Sequence, residues 1–192
     1  MIKKRKVDMS KPIAIIYNPV SGKKTNLRPL IEQRLIAENI PFEFLNTEKA
    51  FDTFRYARDL DMDKYSVLAA AGGDGSYHEV INGMLAREDK RKLPIALLPN
   101  GSGNDLCSSV GIWTLDHALD YIVKRECIPL DSCRVLCDHE TEDTLPEDET
   151  RSDVCRHFDV NAGVSIIPKV TDGAIPWKKC CGKRSYEIAT LV

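Results

Sequence analysis

From residue 13 onward, short apolar blocks alternate with longer amphipathic ones. Residues 13–17, 42–46, 66–71 and 94–98 are compact apolar runs, long enough for buried strands. Between and after them, residues 27–38, 51–60, 76–86, 103–110 and 115–124 carry apolar positions at helical spacing. Strands alternating with helices predict an α/β fold: a parallel sheet with helices on both faces, over residues 12–126. Such sheets bind ligands outside the carboxyl ends of their strands. That rule singles out the segments 18–23, 72–76 and 99–105, all rich in Gly, Ser and Asn.

The character changes at residue 127. "CIPLDSCRVLC" predicts a strand, and "VCRHFDVNAGVSII" a second one. The acidic segment 138–153 between them predicts a solvated loop, which would make the two strands antiparallel. Residues 127–192 thus predict the beginning of a second, β-rich domain. The final "RSYEIATLV" has the pattern of an amphipathic helix, an unusual place for a domain to stop, so the sequence predicts a truncated chain. Residues 1–11, with the basic run "KKRK", predict a flexible, solvated tail, with a short nuclear-import or anionic-lipid patch as the alternative.

Composition narrows the function classes. The 192 residues are 43% hydrophobic and 29% charged, as in globular proteins. A net charge of −2 gives no global electrostatic case for nucleic acid as a partner. No apolar run approaches the roughly 20 residues of a spanning helix. The basic N-terminus is followed by no apolar signal-peptide region, so the cytosol is the compartment expected. Seven cysteines in no regular framework then predict free thiols. Cys133 and Cys137, with His139 and Cys155, match no standard zinc spacing.

Three stretches carry candidate chemistry. "IAIIYNPVSGKKT" (13–25) has the layout of a strand entering a phosphate loop, but Tyr17 and Lys24 stand where a P-loop needs Gly and Ser or Thr. It remains either an anion-binding turn or an ordinary βα turn. In "SVLAAAGGDGSYHEVINGML", Gly72, Gly73 and Gly75 clear side chains from the backbone and permit close approach of a phosphate. Ser76 is the predicted helix N-cap, with Glu79 three residues on as its capping-box partner. Asp74 would be repelled by a phosphate unless it handles Mg2+ or accepts a proton from an attacking hydroxyl; the alternative is a carboxylate that only caps a tight turn. "LPNGSGNDL" supplies a third glycine-rich turn, with Asn104 and Asp105 as candidate caps.

Together these residues resemble the catalytic domain shared by diacylglycerol kinases, sphingosine and ceramide kinases and bacterial lipid kinases. "NPVSG" is similar to the family's first nucleotide loop, "GGDGSYHEVINGML" to its GGDG-T-x-x-E-V-x-N-G-L signature and "LPNGSGNDL" to its P-x-G-[TS]-x-N-D segment. "PLDSCRV", "HFDVNAGVSI" and "CGKRSYEIATL" resemble more weakly the passage into its second domain. The likeness runs over about residues 12–192 and implies an α/β nucleotide domain, of the kind NAD kinases also have, followed by a β-sandwich. It implies ATP, Mg2+ and a lipid hydroxyl acceptor at a membrane surface, hence a cytoplasmic protein with peripheral membrane association. By position, Asn18, Ser21, Gly22, Thr47, Gly72, Gly73, Gly75, Ser76, Glu79 and Ser102 would form the nucleotide pocket. Asp74 would be the catalytic acid–base or metal-linked carboxylate, and Asp105 and Asp131 would belong to the network around the metal.

Some residues depart from the pattern. Ser76 replaces the commoner Thr and keeps the hydroxyl. "VSIIPKVTDG" puts Lys169 and Thr171 where sphingosine kinases carry acidic residues, which weakens a sphingosine assignment. The family's late acidic-glycine motif does not occur in these 192 residues. A catalytically inactive relative that binds nucleotide or membrane, and an NAD kinase, are the competing readings.

Overall fold

The computed structural model describes residues 4–19, 26–136, 155–160 and 162. Four parallel strands form the central sheet: β2 (Ile13–Tyr17), β3 (Phe42–Asn46), β4 (Val67–Gly72) and β5 (Ile95–Pro99), in the order β3-β2-β4-β5. The strands expected at 66–71 and 94–98 are therefore direct parallel neighbours, pairing Leu68 with Ile95 and Gly72 with Pro99.

Five helices follow from the amphipathic blocks: α1 (Arg28–Ala37), α2 (Asp52–Asp59), α3 (Asp74–Leu85), α4 (Asp105–Ser109) and α5 (Leu115–Lys124). Side chains alternate across a strand with a period of two, and here both sets are buried. Ile13, Ile15, Val67, Ala69 and Leu98 meet Ile31 and Leu35 of α1 and Leu119 and Ile122 of α5. Ala14, Ile16, Leu68, Ala70 and Leu97 meet Ala57 of α2, Tyr77, Val80 and Met84 of α3 and Leu106 of α4. This explains why β2 and β4 read as unbroken apolar runs rather than alternating ones.

Strand order reverses direction between β2 and β4: the chain steps outward to β3, then crosses back over β2. Tyr17 pairs with both Asn46 and Ala71, so the carboxyl ends of β2, β3 and β4 lie level. The loops after these strands and after β5 share one edge of the sheet, where ligands bind in this architecture.

Two expectations need correction. Residues 4–11 are not a free tail: β1 (Arg5–Lys6) pairs antiparallel with β6 (Glu126–Cys127), the Val7 N–H donates to the Arg125 carbonyl, and Met9 is buried in the core. The strand expected over 127–137 is two short ones, β6 and β7 (Cys133–Leu136), because residues 128–132 leave the ladder. By its contacts, the chain up to Asp159 groups as one compact unit, across the expected boundary near 127. The reason lies in β8 (Cys155–Phe158), which pairs antiparallel with β7 and is clasped to α3. The Asn82 side chain acts there as a strand edge, with Oδ1 accepting from His157 N at 2.9 Å and Nδ2 donating to the His157 carbonyl at 3.0 Å. The acidic segment 138–153, most of the expected β-sandwich and the helix expected at 184–192 lie outside the described residues.

Candidate active site

The carboxyl edge is built from β-strand ends that turn sharply into helices. Asn18 follows β2 and is half-buried. Thr47 follows β3, is only 8% exposed, and donates its N–H to the Tyr17 carbonyl at 3.0 Å. Its loop is fixed from below by Asp52, whose Oδ2 accepts from the N–H groups of Glu48 and Lys49, both at 2.8 Å, while Oδ1 meets Arg55. Burial works against the Asp52 carboxylate, but these N–H donors and Arg55 together hold it below its ordinary range. Ser21 and Gly22 lie outside the described residues.

The second and third loops form a single object. Asn100 N–H donates to the Gly72 carbonyl at 2.7 Å, and the same carbonyl accepts from the Tyr77 hydroxyl at 2.9 Å. Gly73 and Gly101 then pass backbone against backbone. A Cβ on Gly73 would stand 2.9 Å from Gly101 Cα, and one on Gly101 would stand 2.5 Å from Gly73 Cα. Neither partner is a flexible side chain, so no other residue fits at this crossing without moving a main chain. Asn104, with a left-handed φ of 56°, folds back over the turn: Oδ1 accepts from Gly101 N and Nδ2 donates to the Gly101 carbonyl.

Gly75 differs from these. It has nothing within 4 Å of a built Cβ, and its φ is not in the left-handed region. Neither packing nor backbone conformation inside the protein requires a glycine here. It sits exposed in the first turn of α3, where main-chain N–H groups have no intrahelical acceptor.

Helix α3 also starts earlier than the capping pattern suggested. Gly73 is its N-cap, extended and without a side-chain cap, so Ser76 lies inside the first turn and the Ser76–Glu79 capping box is not the start signal. The close Gly73–Gly101 crossing sets the point of entry instead. Ser76 and Glu79 are half-buried on α3, and Ser102 is exposed at the tip of the third loop.

Asp74 occupies the centre. Its Oδ1 accepts from Leu106 N at 3.2 Å, capping α4 across space in place of Asn104. A Cβ on Gly103 would lie 2.9 Å from Asp74 Oδ2 and 3.5 Å from Asp105 Oδ1. Two carboxylates from different loops therefore border one exposed glycine, with Asp74 held by a backbone bond and Asp105 exposed. Below them, Cys107 is fully buried beside Tyr77; burial, with Asp74 nearby, pushes its thiol up to about 11. Asp131 is exposed in the segment before β7, and no hydrogen bond or ion pair ties it to Asp74 or Asp105. Among the described residues there is no group of three or more His, Cys, Asp or Glu side chains able to hold a metal alone.

Sequence reasoning gave no roles to Asn82, Asn100 or Tyr77, and read Gly101 only as part of a turn that frees backbone. Asn82 stood inside the quoted signature, but its partner is 75 residues away in β8 and no local spacing announces it.

The matching family model is the diacylglycerol kinase catalytic domain, over residues 12–135. The chain belongs to this family. It is 34% identical over 142 residues to sphingosine kinase B of Dictyostelium discoideum, covering 71% of this chain and 18% of that protein. It is 38% identical over 127 residues to a diacylglycerol kinase of Staphylococcus saprophyticus, covering 64% of this chain and 41% of that protein. A crystal structure of a diacylglycerol kinase from Bacillus anthracis shares the fold, with a TM-score of 0.55, 23% identity, and coverage of 65% of this chain and 45% of that one. The chain spans less than half the length of each of these proteins. The family is one of lipid kinases, and the named relatives include both diacylglycerol and sphingosine kinases. Among the described residues no helix is long and apolar enough to cross a membrane.

Proposed function

We propose that this chain carries the nucleotide-binding part of a lipid kinase that transfers the γ-phosphoryl group of ATP to a lipid hydroxyl. The observation that carries the reading is Gly75, a glycine that the protein's own packing and backbone do not require, beside a carboxylate that they fix. A phosphate approaching the first turn of α3 supplies the missing reason: it needs the space a side chain would take and the N–H groups that the turn leaves open.

The residues divide the work. Gly75 and the first turn of α3, with Ser76, would seat phosphate oxygens. Asn18 and Thr47, level with them across the sheet, would bound the nucleotide on its other side. The Gly73–Gly101 crossing keeps the two loops from drifting apart, so the donors are positioned before the ligand arrives. Asp74 presents Oδ2 beside Gly103 while Oδ1 is anchored, and that free oxygen would take the proton from the acceptor hydroxyl. The alternative role for Asp74 is metal binding: an edge where two carboxylates border one open glycine fits Mg2+, which Asp105 with Asp74 would hold and which would neutralise charge on the transferring phosphoryl group.

The test is phosphoryl transfer from labelled ATP with Mg2+ to a panel of diacylglycerol, sphingosine, ceramide and NAD. Label in a lipid is the expected result. Label in NAD instead, or ATP binding with no transfer by a chain carrying the whole second domain, overturns it.

A further inference from the structure

The opposite edge of the sheet holds a second feature that phosphoryl transfer does not use. The starts of β4 and β5, the last turn of α5 and the β1–β6 ribbon enclose a cavity of about 260 Å3. Its walls are apolar, among them Met9, Val67, Ile95, Ala96, Ile112 and Ile122. Tyr121 and Leu130 line it and are 37% and 47% exposed, so the apolar surface continues to the outside. Strand direction separates it from the loops: Val67 and Ile95 begin the strands that Gly72 and Pro99 end.

Its rim is basic. Pairing of β1 with β6 brings Lys4, Arg5 and Lys6 beside Lys124 and Arg125, more than a hundred residues away in the chain. Lys6 Nζ donates to the Lys124 carbonyl at 3.0 Å, and Lys4 stands 5.7 Å from the centre of the Tyr121 ring. The acid in this cluster is Glu126, already met by Lys4 at 2.7 Å and Lys6 at 3.6 Å. Five cations against one carboxylate stand out in a chain whose net charge is −2. Arg5, Lys124 and Arg125 are exposed and make no side-chain ion pair among the described residues.

We propose that this edge is a docking face for an anionic phospholipid bilayer, with the basic rim on the headgroups and one acyl chain entering the cavity. The volume is just below the ~300–1,000 Å3 of sites for drug-sized ligands, which suits one tail rather than a whole lipid. Cations at the rim and an apolar interior complement an anionic amphiphile and give a nucleic acid no use for the cavity. Docking here needs neither nucleotide nor turnover, so it does not rest on the kinase reading.

The experiment is vesicle co-sedimentation without ATP, using phosphatidylcholine alone or mixed with phosphatidylserine. The wild-type chain is expected to bind the mixed vesicles and to bind phosphatidylcholine weakly. Each Lys or Arg near an anionic surface contributes about fivefold, so Arg5→Gln/Lys124→Gln/Arg125→Gln should bind about 100-fold more weakly. Ala96→Phe, which fills the cavity at constant charge, should weaken binding several-fold. Leu130→Gln makes a second test at constant charge, at an exposed lining position that carries little folding risk, and circular dichroism checks each variant's fold. Asp74→Asn should bind vesicles as the wild type does, which keeps this outcome separate from any failure of catalysis. Binding that ignores phosphatidylserine, or a triple variant with wild-type affinity, overturns the proposal. Unchanged binding by both Ala96→Phe and Leu130→Gln overturns the role of the cavity.

Discussion

The two edges of the sheet are built by opposite means. At the carboxyl edge, the second and third loops are short continuous stretches in which glycines and carboxylates are neighbours in sequence. At the amino edge, the first residues of the chain meet residues 124–127, and nothing in either stretch announces the other. The carboxyl edge is also rigidly determined: main chain crosses main chain at Gly73 and Gly101, and Asp74 is tied to α4. The amino edge is an exposed two-residue pairing with long charged side chains, the kind of contact that contributes little to stability. Precision sits where phosphate chemistry would need it, and adaptable charge sits where a surface would be met.

The sharpest way to break this contrast is Asp74→Asn. The amide keeps an oxygen for Leu106 N, so the fold should hold, while loss of a general base costs about 10²–10⁴ in rate. Single-turnover phosphorylation measures it, and ATP affinity by calorimetry should change far less. Near wild-type turnover would reduce Asp74 to the cap of α4.

Next in size is Gly101→Ala. Its Cβ would press on Gly73 Cα and Asn104 Oδ1, and overpacking of this kind costs about 1–3 kcal/mol. Urea unfolding reads the loss directly, and a neutral result would mean that the two loops are not held by their crossing.

Asp52 adds a pH dependence to the same edge. Its carboxyl is held below the ordinary value, so its contribution is present above the unfolded value of about 3.9 and is lost as pH falls through the lower folded value. Asp52→Asn should therefore flatten the acid limb of a stability–pH curve and leave the neutral region less stable than wild type. Identical acid limbs would show that the Thr47 loop does not depend on this charge.

Gly75→Ala separates protein from ligand. With open space and a helical position, alanine should stabilise the fold by about 0.5–1 kcal/mol, yet weaken ATP binding. Equal or tighter ATP binding would remove the phosphate from this turn. The smallest effect belongs to the amino edge: Lys4→Ala deletes an exposed ion pair with Glu126 and should leave the thermal midpoint unresolved from wild type. A clear drop there would mean that the ribbon is structural rather than a surface for partners.

The sequence alone determined the parallel α/β layout, because apolar blocks of strand length alternate with amphipathic blocks of helix length and both periods are local. It also determined which loops share the carboxyl edge, since strand direction in such a fold puts them there, and it marked Asp74 by its glycine neighbours. Tertiary structure alone decided what each glycine is for: Gly73 and Gly101 serve each other, and Gly75 serves nothing inside the protein. It decided that α3 begins at Asp74, because a main-chain crossing outranks a side-chain cap as a start signal. It placed β8 on α3 through Asn82, and it turned the expected basic tail into a strand. These outcomes depend on hydrogen bonds and contacts between residues far apart in the chain. Pattern and propensity read only a few residues at a time, so such pairings become visible only once the sheet has brought them together.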